Sequence, residues 1–87
     1  MAVARIQILS RQWCHLCQVM EAAVAPLATE FGARVEVLDV DADAALEARW
    51  DEQVPVLLVN GDYVCHYHLD EAALRAFLMA FPVESRD

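Results

Sequence analysis

Residues 3–17 have the sequence VARIQILSRQWCHLC, and this stretch decides which fold is expected. Its first half, Val3–Leu9, is a short apolar run with several β-branched residues, which is typical of a strand. Cys14 then opens a helical pattern in which apolar residues recur along one face. These residues are Leu16, Val19, Met20, Ala23, Leu27 and Phe31. The stretch therefore predicts a strand that leads, through a short loop, into a Cys-x-x-Cys at the start of a helix.

The remainder of the chain predicts three more strands and two more helices. In chain order they are a strand over Val35–Val40, a short helix over Ala44–Trp50 capped by Asp41 or Asp43, strands over Val54–Val59 and Tyr63–His66, and a helix capped by Asp70. The order β-α-β-α-β-β-α contains a crossover, which implies parallel strands, and a hairpin, which implies antiparallel strands. We therefore predict an α/β fold: a mixed four-stranded sheet with helices on both faces.

Glycine, asparagine and proline residues predict where these elements turn or end. Gly32 is placed to cap the first helix, and Pro26 is expected to kink that helix without ending it. Asn60-Gly61 is a strong signal for a two-residue hairpin. In the last helix Leu74, Phe77, Leu78 and Phe81 form the apolar face, and we expect the helix to stop at Pro82.

Length and composition describe a folded, non-membrane protein. The 87 residues fit one domain, 1–87, with an ordered core expected at about 3–81, and 59% of them are hydrophobic. No apolar run approaches the roughly 18 residues of a membrane helix. The chain enters its strand pattern at Met1–Arg5 without the apolar region of a signal peptide. We therefore expect a cytoplasmic monomer.

The charge of the chain excludes a further class of partners. Six arginines and no lysine stand against 14 carboxylates, giving a net charge of −8. Such a chain repels nucleic acid and anionic membrane surfaces, so neither is expected as a partner. Seven carboxylates and one arginine lie between Glu36 and Glu52. We interpret this run as a solvated face, with a docking patch for a basic partner as the alternative.

The cysteines indicate intracellular thiol chemistry. There are three, and two of them form Cys14-His15-Leu16-Cys17. The free N–H groups and the dipole at a helix N-terminus favour a thiolate at Cys14, which lowers the pKa of its thiol. Arg11 lies in the same loop and adds a positive charge, and a charged imidazole at His15 would act in the same direction. Cys17 lies almost one turn further on, within disulfide reach, so Cys14 can attack a disulfide and Cys17 can resolve the intermediate.

The segment Ser10-Arg11-Gln12-Trp13-Cys14-His15-Leu16-Cys17 resembles the active-site segment of glutaredoxins. Arg11 matches a basic residue that this family carries three positions before its first cysteine. Val54-Pro55 resembles the family's Val-Pro, whose peptide bond is cis and lies opposite the cysteines. The element order is similar to that of the thioredoxin superfamily over nearly the whole chain. The Cys-His-Leu-Cys form is similar to that of a group of small bacterial glutaredoxin-like proteins.

The chain also departs from the glutaredoxin pattern. His15-Leu16 stands where glutaredoxins have Pro-Tyr, and Gln53 stands where they have threonine before Val-Pro. Cys65-His66 falls on a Gly-Gly pair that lets backbone approach glutathione, and His68 falls on a carboxylate. These departures from the family pattern predict weak binding of glutathione and dependence on another reductant, and we expect no cofactor, with glutathione as the alternative.

Several residues near this motif have two interpretations. Trp13 either covers the loop or contacts substrate, and Cys65 is either a passive buried cysteine or part of the site. His66 and His68 have the same parity on an extended segment, so we expect them to point to one side, as surface histidines, proton relays or ligands. Trp50 is expected in the core.

These observations predict a thiol-disulfide oxidoreductase acting on protein or small-molecule disulfides. Cys14 and Cys17 would be catalytic, Arg11 and His15 would tune the thiolate, and the substrate would contact Trp13, Val54, Pro55, Cys65 and His66. One alternative is a metal or iron–sulfur module built from Cys14 and Cys17 with Cys65, His66 or His68, although no second Cys-x-x-Cys is present. Another is a thioredoxin-fold interaction domain without turnover. Metal content and colour of the purified protein distinguish the first two.

Overall fold

The computed structural model describes residues 4–50 and 53–85. Within them the elements follow the expected order. They are β1 (Arg5–Ser10), α1 (His15–Phe31), β2 (Arg34–Asp39), a 3-10 turn (Val40–Ala42), α2 (Ala44–Trp50), β3 (Val56–Val59), β4 (Asp62–His66) and α3 (Glu71–Ser85). No helix in these residues is long and apolar enough to cross a membrane.

The strands form one mixed four-stranded sheet in the order β2-β1-β3-β4. β1 pairs with β2 in parallel and with β3 in antiparallel, and β4 is antiparallel to β3. Ser10 pairs with Asp39, Leu9 with Val56, and Val56 with His66. The ends of β1, β2 and β4 and the start of β3 therefore meet at one edge of the sheet. We call this edge, marked by Ser10, Asp39, Val56 and His66, the disulfide edge, because the cysteine motif follows β1 there.

Hydrophobic clusters cover both faces of the sheet. Successive strand residues point to opposite faces, so Ile8 and Leu57 belong to one cluster while Leu9 and Val56 belong to the other. The larger cluster joins the sheet to α1 and α3 through Met20, Val24, Leu27, Leu74 and Leu78. The smaller cluster joins it to the 3-10 turn and α2 through Val40, Leu46 and Trp50. The expected arrangement, helices on both faces, is confirmed.

The turns and caps follow the local signals in the sequence. Gly32 adopts φ 66° and its N–H bonds to the carbonyls of Ala28 and Thr29, so it is the C-cap of α1. Asn60 and Gly61 have φ 50° and 90°, the positive values that a two-residue hairpin requires. The Asp43 side chain accepts a 2.9 Å bond from the N–H of Ala45 at the start of α2. At the start of α3, the Asp70 side chain accepts a 3.1 Å bond from the N–H of Ala73.

Some predicted boundaries are wrong by one or two residues. β2 ends at Asp39 rather than Val40, because the Asp39 side chain accepts the Asp41 N–H at 2.8 Å and starts the 3-10 turn. β3 begins at Val56 rather than Val54, β4 begins one residue early at Asp62, and β1 extends to Ser10.

The two prolines inside helices interrupt neither of them. α1 is continuous through Pro26, and the expected kink there stays a prediction. The expectation that Pro82 ends the last helix is wrong, since α3 continues to Ser85. A proline removes its own N–H from the hydrogen-bond ladder and its ring clashes with the carbonyl four residues earlier, so a helix continues past it only at an energetic cost. The core position expected for Phe81 concerns its side chain, and the structure describes side chains only up to residue 80. Residue 3 of the expected ordered core also lies outside the described residues.

Candidate redox site

Cys14 and Cys17 lie at the N-terminus of α1 and are joined by a disulfide, with Cα atoms 5.2 Å apart. Cys14 is the N-cap, with an extended backbone at φ −103° and ψ 105°. Its sulfur accepts a 3.1 Å hydrogen bond from the backbone N–H of Cys17. A sulfur in this position faces one of the N–H groups that no helical carbonyl can satisfy. The placement of the motif at a helix N-terminus is therefore as expected.

The two sulfurs differ in their accessibility. The Cys17 side chain is only 1% exposed and belongs to the buried interior, whereas Cys14 is half-buried. Its position at the helix end leaves Cys14 as the cysteine of the pair that a molecule in solution can approach. The geometry thus separates an outer sulfur from an inner one.

Trp13 precedes the motif and stands almost fully in solvent. Its backbone has φ 62° and its side chain is 96% exposed. The expectation that Trp13 covers the loop is therefore wrong, because the turn into α1 leaves this residue almost fully exposed. His15, on the first turn of the helix, is exposed as well.

Arg11 lies in the same loop and forms an ion pair that the sequence analysis missed. Its Nε donates to the two carboxylate oxygens of Asp41 at 3.2 and 3.0 Å, and its Nη2 donates to one of them at 2.9 Å. The parallel pairing of Ser10 with Asp39 explains the contact, because the residues that follow β1 and β2 emerge side by side. The strand order was the only signal that could have predicted it.

Val54-Pro55 lies at the disulfide edge, just before β3. Its peptide bond is cis, as the resemblance implied. Pro55 is buried and Val54 is half-buried. The carbonyl of Pro55 accepts a 2.8 Å bond from the N–H of Tyr67, which joins the segment to the end of β4. Gln53, in the position of the family threonine, is exposed.

His66 ends β4 at the same edge and is held between two tyrosines. Its Nδ1 is hydrogen-bonded to the Tyr63 hydroxyl, and its ring centroid lies 4.6 Å from that of Tyr67 in an edge-on contact. Tyr67 has φ 65°, so the extended segment stops at His66. The alternation of strand side chains therefore does not reach His68, and the premise that placed both histidines on one side is wrong.

Cys65 is a free thiol in the larger hydrophobic cluster, 8% exposed. Burial raises the pKa of this thiol, a hydrogen bond from the Asp70 backbone opposes the rise, and the negative charge of Asp70 adds to it. Its side chain therefore packs in the core with Leu74 and Leu78 of α3, and its expected contact with a substrate stays a prediction.

The donor set of the metal alternative is not assembled. Within residues 4–50 and 53–80, no group of three or more histidine, cysteine, aspartate or glutamate side chains is arranged to hold a metal ion. The cysteines do not come together as ligands, because Cys65 lies in the core while Cys14 and Cys17 are bonded to each other at the start of α1.

A shallow pocket of ≈ 280 Å³ lies on the α2 face of the sheet, apart from the cysteines. Trp50 and Tyr63 form one wall with nearly parallel rings, 6.0 Å between centroids, and the Arg49 guanidinium lies 4.9 Å from the Trp50 ring. Trp50 is half-buried and packs against the smaller cluster, so its expected core position is only partly correct.

A disulfide at the N-terminus of the first helix, a cis proline before the third strand and this strand order define a thioredoxin-fold protein with a Cys-x-x-Cys site. Within that class, the chain belongs to the family described as the glutaredoxin-like domain (DUF836), which matches residues 5–79.

The chain is also similar to proteins of two bacteria and to a thioredoxin. The chain is 30% identical over 81 residues to an uncharacterized protein of Mycobacterium tuberculosis, covering 87% of this chain and 84% of that one. It is similar to a Nitrosomonas europaea protein solved by NMR, with TM-score 0.78, 30% identity and coverage of 88% and 93%. A variant thioredoxin of Halobacterium salinarum matches with TM-score 0.64, 29% identity and coverage of 88% and 73%.

Proposed function

We propose that this protein is a thiol-disulfide oxidoreductase in which Cys14 is the attacking sulfur and Cys17 is the resolving sulfur. The observation that carries the proposal is the unequal placement of the two sulfurs at the start of α1. Cys14 is the half-buried N-cap that accepts the Cys17 N–H, whereas Cys17 is 1% exposed. An attacking sulfur needs access and a stabilised thiolate, while a resolving sulfur needs only to reach its neighbour.

The reaction starts from the reduced dithiol. The Cys14 thiolate attacks one sulfur of a substrate disulfide, so a mixed disulfide forms and the first substrate thiolate leaves and takes up a proton. The Cys17 thiol loses its proton and attacks the Cys14 sulfur, releasing the second substrate thiol and forming the Cys14–Cys17 bond. Two electrons pass from the protein to the substrate, and an external dithiol must return them.

The substrate chain is proposed to lie along the disulfide edge. The exposed Trp13 ring offers an apolar surface beside Cys14, and Val54 with Pro55 borders the other side of the site at the start of β3. His66 adjoins Pro55 through the neighbouring Tyr67 N–H bond. We assign the Cys65 thiol a structural role beneath this surface.

Weak dependence on glutathione is part of the same proposal. The Arg11 guanidinium, which could bind a glutathione carboxylate, donates to Asp41 instead. The His66 ring lies between two tyrosines, at a position where glutaredoxins have glycine. We therefore expect protein disulfides, or small disulfides other than that of glutathione, as substrates and another dithiol as reductant.

Turnover with a neutral disulfide tests the proposal. The reduced protein is expected to reduce 2-hydroxyethyl disulfide with dithiothreitol as electron donor, at a rate above that of dithiothreitol alone. Cys14→Ser should abolish this activity. When dithiothreitol is left out, Cys17→Ser treated with 2-hydroxyethyl disulfide should accumulate a mixed disulfide on Cys14, seen as an added mass. Cys65→Ala is the matched control and should retain the activity. Activity in Cys14→Ser, or its loss only in Cys65→Ala, would refute the assignment.

A further inference from the structure

The ion pair between Arg11 and Asp41 joins the cysteine loop to the end of β2. The guanidinium presents two nitrogens to the Asp41 carboxylate, at 2.9 to 3.2 Å. Asp41 is itself held, because its N–H donates to the Asp39 side chain at 2.8 Å. A fork-to-carboxylate contact of this kind has a defined geometry, so it orients the arginine as well as compensating its charge.

Arg11 is the basic residue of the loop that contains Cys14, and its pairing determines what that charge can attract. A guanidinium directed to a carboxylate of the same protein contributes little net positive charge to an approaching anion. The side chains of Arg11 and Asp41 are 32% and 45% exposed, so the pair lies where a substrate can meet it. Asp39 and Asp43 on either side of Asp41 are exposed and add negative charge.

We infer that Asp41 is a positioning residue that sets the charge specificity of the site: by holding Arg11 it makes Cys14 react with neutral and cationic partners in preference to anionic ones. The inference rests on the proposed function only in taking Cys14 as the attacking sulfur. Removing the Asp41 carboxylate takes this partner from the Arg11 guanidinium, and a carboxylate on the incoming molecule can take its place. Carboxylate-bearing disulfides would then become better substrates.

The test compares two alkylating reagents that differ in charge. Iodoacetate is an anion and iodoacetamide is neutral, and the ratio of their rates at Cys14, measured by mass spectrometry at one pH, cancels the thiolate fraction. Asp41→Ala should raise the iodoacetate-to-iodoacetamide ratio about threefold, the size typical of one exposed ion pair. Asp41→Glu, which keeps the carboxylate, should stay near the wild-type ratio. An unchanged ratio in Asp41→Ala would overturn the inference.

Glu30→Ala is the matched control. Glu30 forms a similar bidentate pair with Arg75, at 3.0 and 3.1 Å, between α1 and α3. Its removal changes the net charge by the same amount away from the disulfide edge, so the ratio at Cys14 should not change. An equal rise in Glu30→Ala would mean that net charge alone sets the ratio, and this would refute the role of Asp41.

Asp41→Ala in an Arg11→Gln background distinguishes an effect that Asp41 exerts through Arg11 from a direct effect of the Asp41 charge. If Asp41 acts by holding Arg11, Asp41→Ala should change the ratio by less than about 1.5-fold in an Arg11→Gln background, because coupled residues are not additive. The same rise in both backgrounds would show that Asp41 acts as a charge only. Unchanged far-ultraviolet dichroism shows that each variant is folded.

The readout distinguishes this inference from the proposed function. Alkylation measures attack by Cys14 without any turnover. A protein that fails to reduce 2-hydroxyethyl disulfide but shows the Asp41-dependent ratio would refute the enzyme activity and support the inference. Normal turnover together with an alkylation ratio that does not change in Asp41→Ala would refute the inference but not the proposed function. As a second measure, the rate ratio of dithiodiglycolate to cystamine, a dianion and a dication, should rise in Asp41→Ala.

Discussion

The backbone N–H of Cys17 donates a hydrogen bond to the sulfur of Cys14 at 3.1 Å. The contact places the outer sulfur at the positive end of α1, where a helix stabilises negative charge. The helix places Cys17 almost one turn further on, with its sulfur buried. One local feature of the helix end therefore supports both the attacking and the resolving roles proposed for this pair.

The first prediction is the order in which the reduced cysteines react. Helix N-termini lower the pKa of a thiol, so Cys14 should be alkylated first below pH 7. Cys17 and Cys65 should both react more slowly, because Cys17 is 1% exposed and burial raises the pKa of the Cys65 thiol. Peptide mapping after timed iodoacetamide treatment measures the order. Faster reaction at Cys17 or Cys65 would contradict it.

The second prediction concerns glutathione. Reduced glutathione should bind the Cys17→Ser variant only weakly, because His66 and His68 replace a glycine and a carboxylate that glutaredoxins use. The lost partner for the ligand's ammonium group is typically worth about 1.5–3 kcal/mol. Backbone NMR shifts during a titration measure the binding. Saturation at micromolar glutathione around Arg11, Val54 and His66 would show the opposite.

The third prediction is an acid-dependent contribution from Glu30. A hydrogen bond from Arg75 lowers the pKa of Glu30 below its ordinary 4.5. A lowered folded-state pKa means that the stabilisation is present above pH 4.5 and is lost as the pH falls through the folded value. Glu30→Gln should therefore reduce the free energy of unfolding at pH 7 but have less effect near pH 3.

Urea unfolding at the two pH values measures this effect. The contribution is small because both side chains are exposed and water and salt screen the pair. Glu47→Gln, an exposed carboxylate on α2, is the control. A loss from Glu30→Gln that is as large at pH 3 as at pH 7 would rule out the ion pair as its cause.

The fourth prediction tests the core between the sheet and the two long helices. Ile8 on β1 is fully buried, and its side chain packs in the larger cluster. Ile8→Ala should lower the free energy of unfolding by about 2–5 kcal/mol, through lost burial and the cavity left behind. Its register partner Val37 is 49% exposed, so Val37→Ala should cost much less. Equal losses in urea unfolding would contradict the packing described above.

Local signals in the sequence were enough for most of the fold. The Asn60-Gly61 turn, the Gly32 cap and the Asp70 cap act within a few residues, so a short stretch of chain specifies each of them. Nearby residues likewise specify the start of α1, where Cys14 is the N-cap. The element order then leaves few ways to pair the strands, and the mixed sheet follows from it. The local rule for Pro82 was wrong, since α3 continues to Ser85 despite the hydrogen bond that this proline removes and the clash of its ring with the preceding turn.

The tertiary structure alone decided the surroundings of the cysteines. Arg11 meets Asp41, 30 residues away, only because β1 and β2 are parallel neighbours whose ends lie in register. Cys65 is buried under α3, and Trp13 stands in solvent, because strand register and helix packing choose which side chains are covered. Contacts of this kind depend on pairings between distant segments, which no local pattern of residues encodes. The Cys-x-x-Cys motif and its place at a helix N-terminus follow from local sequence, whereas the charges and the exposed surface around the motif depend on the packing of distant segments.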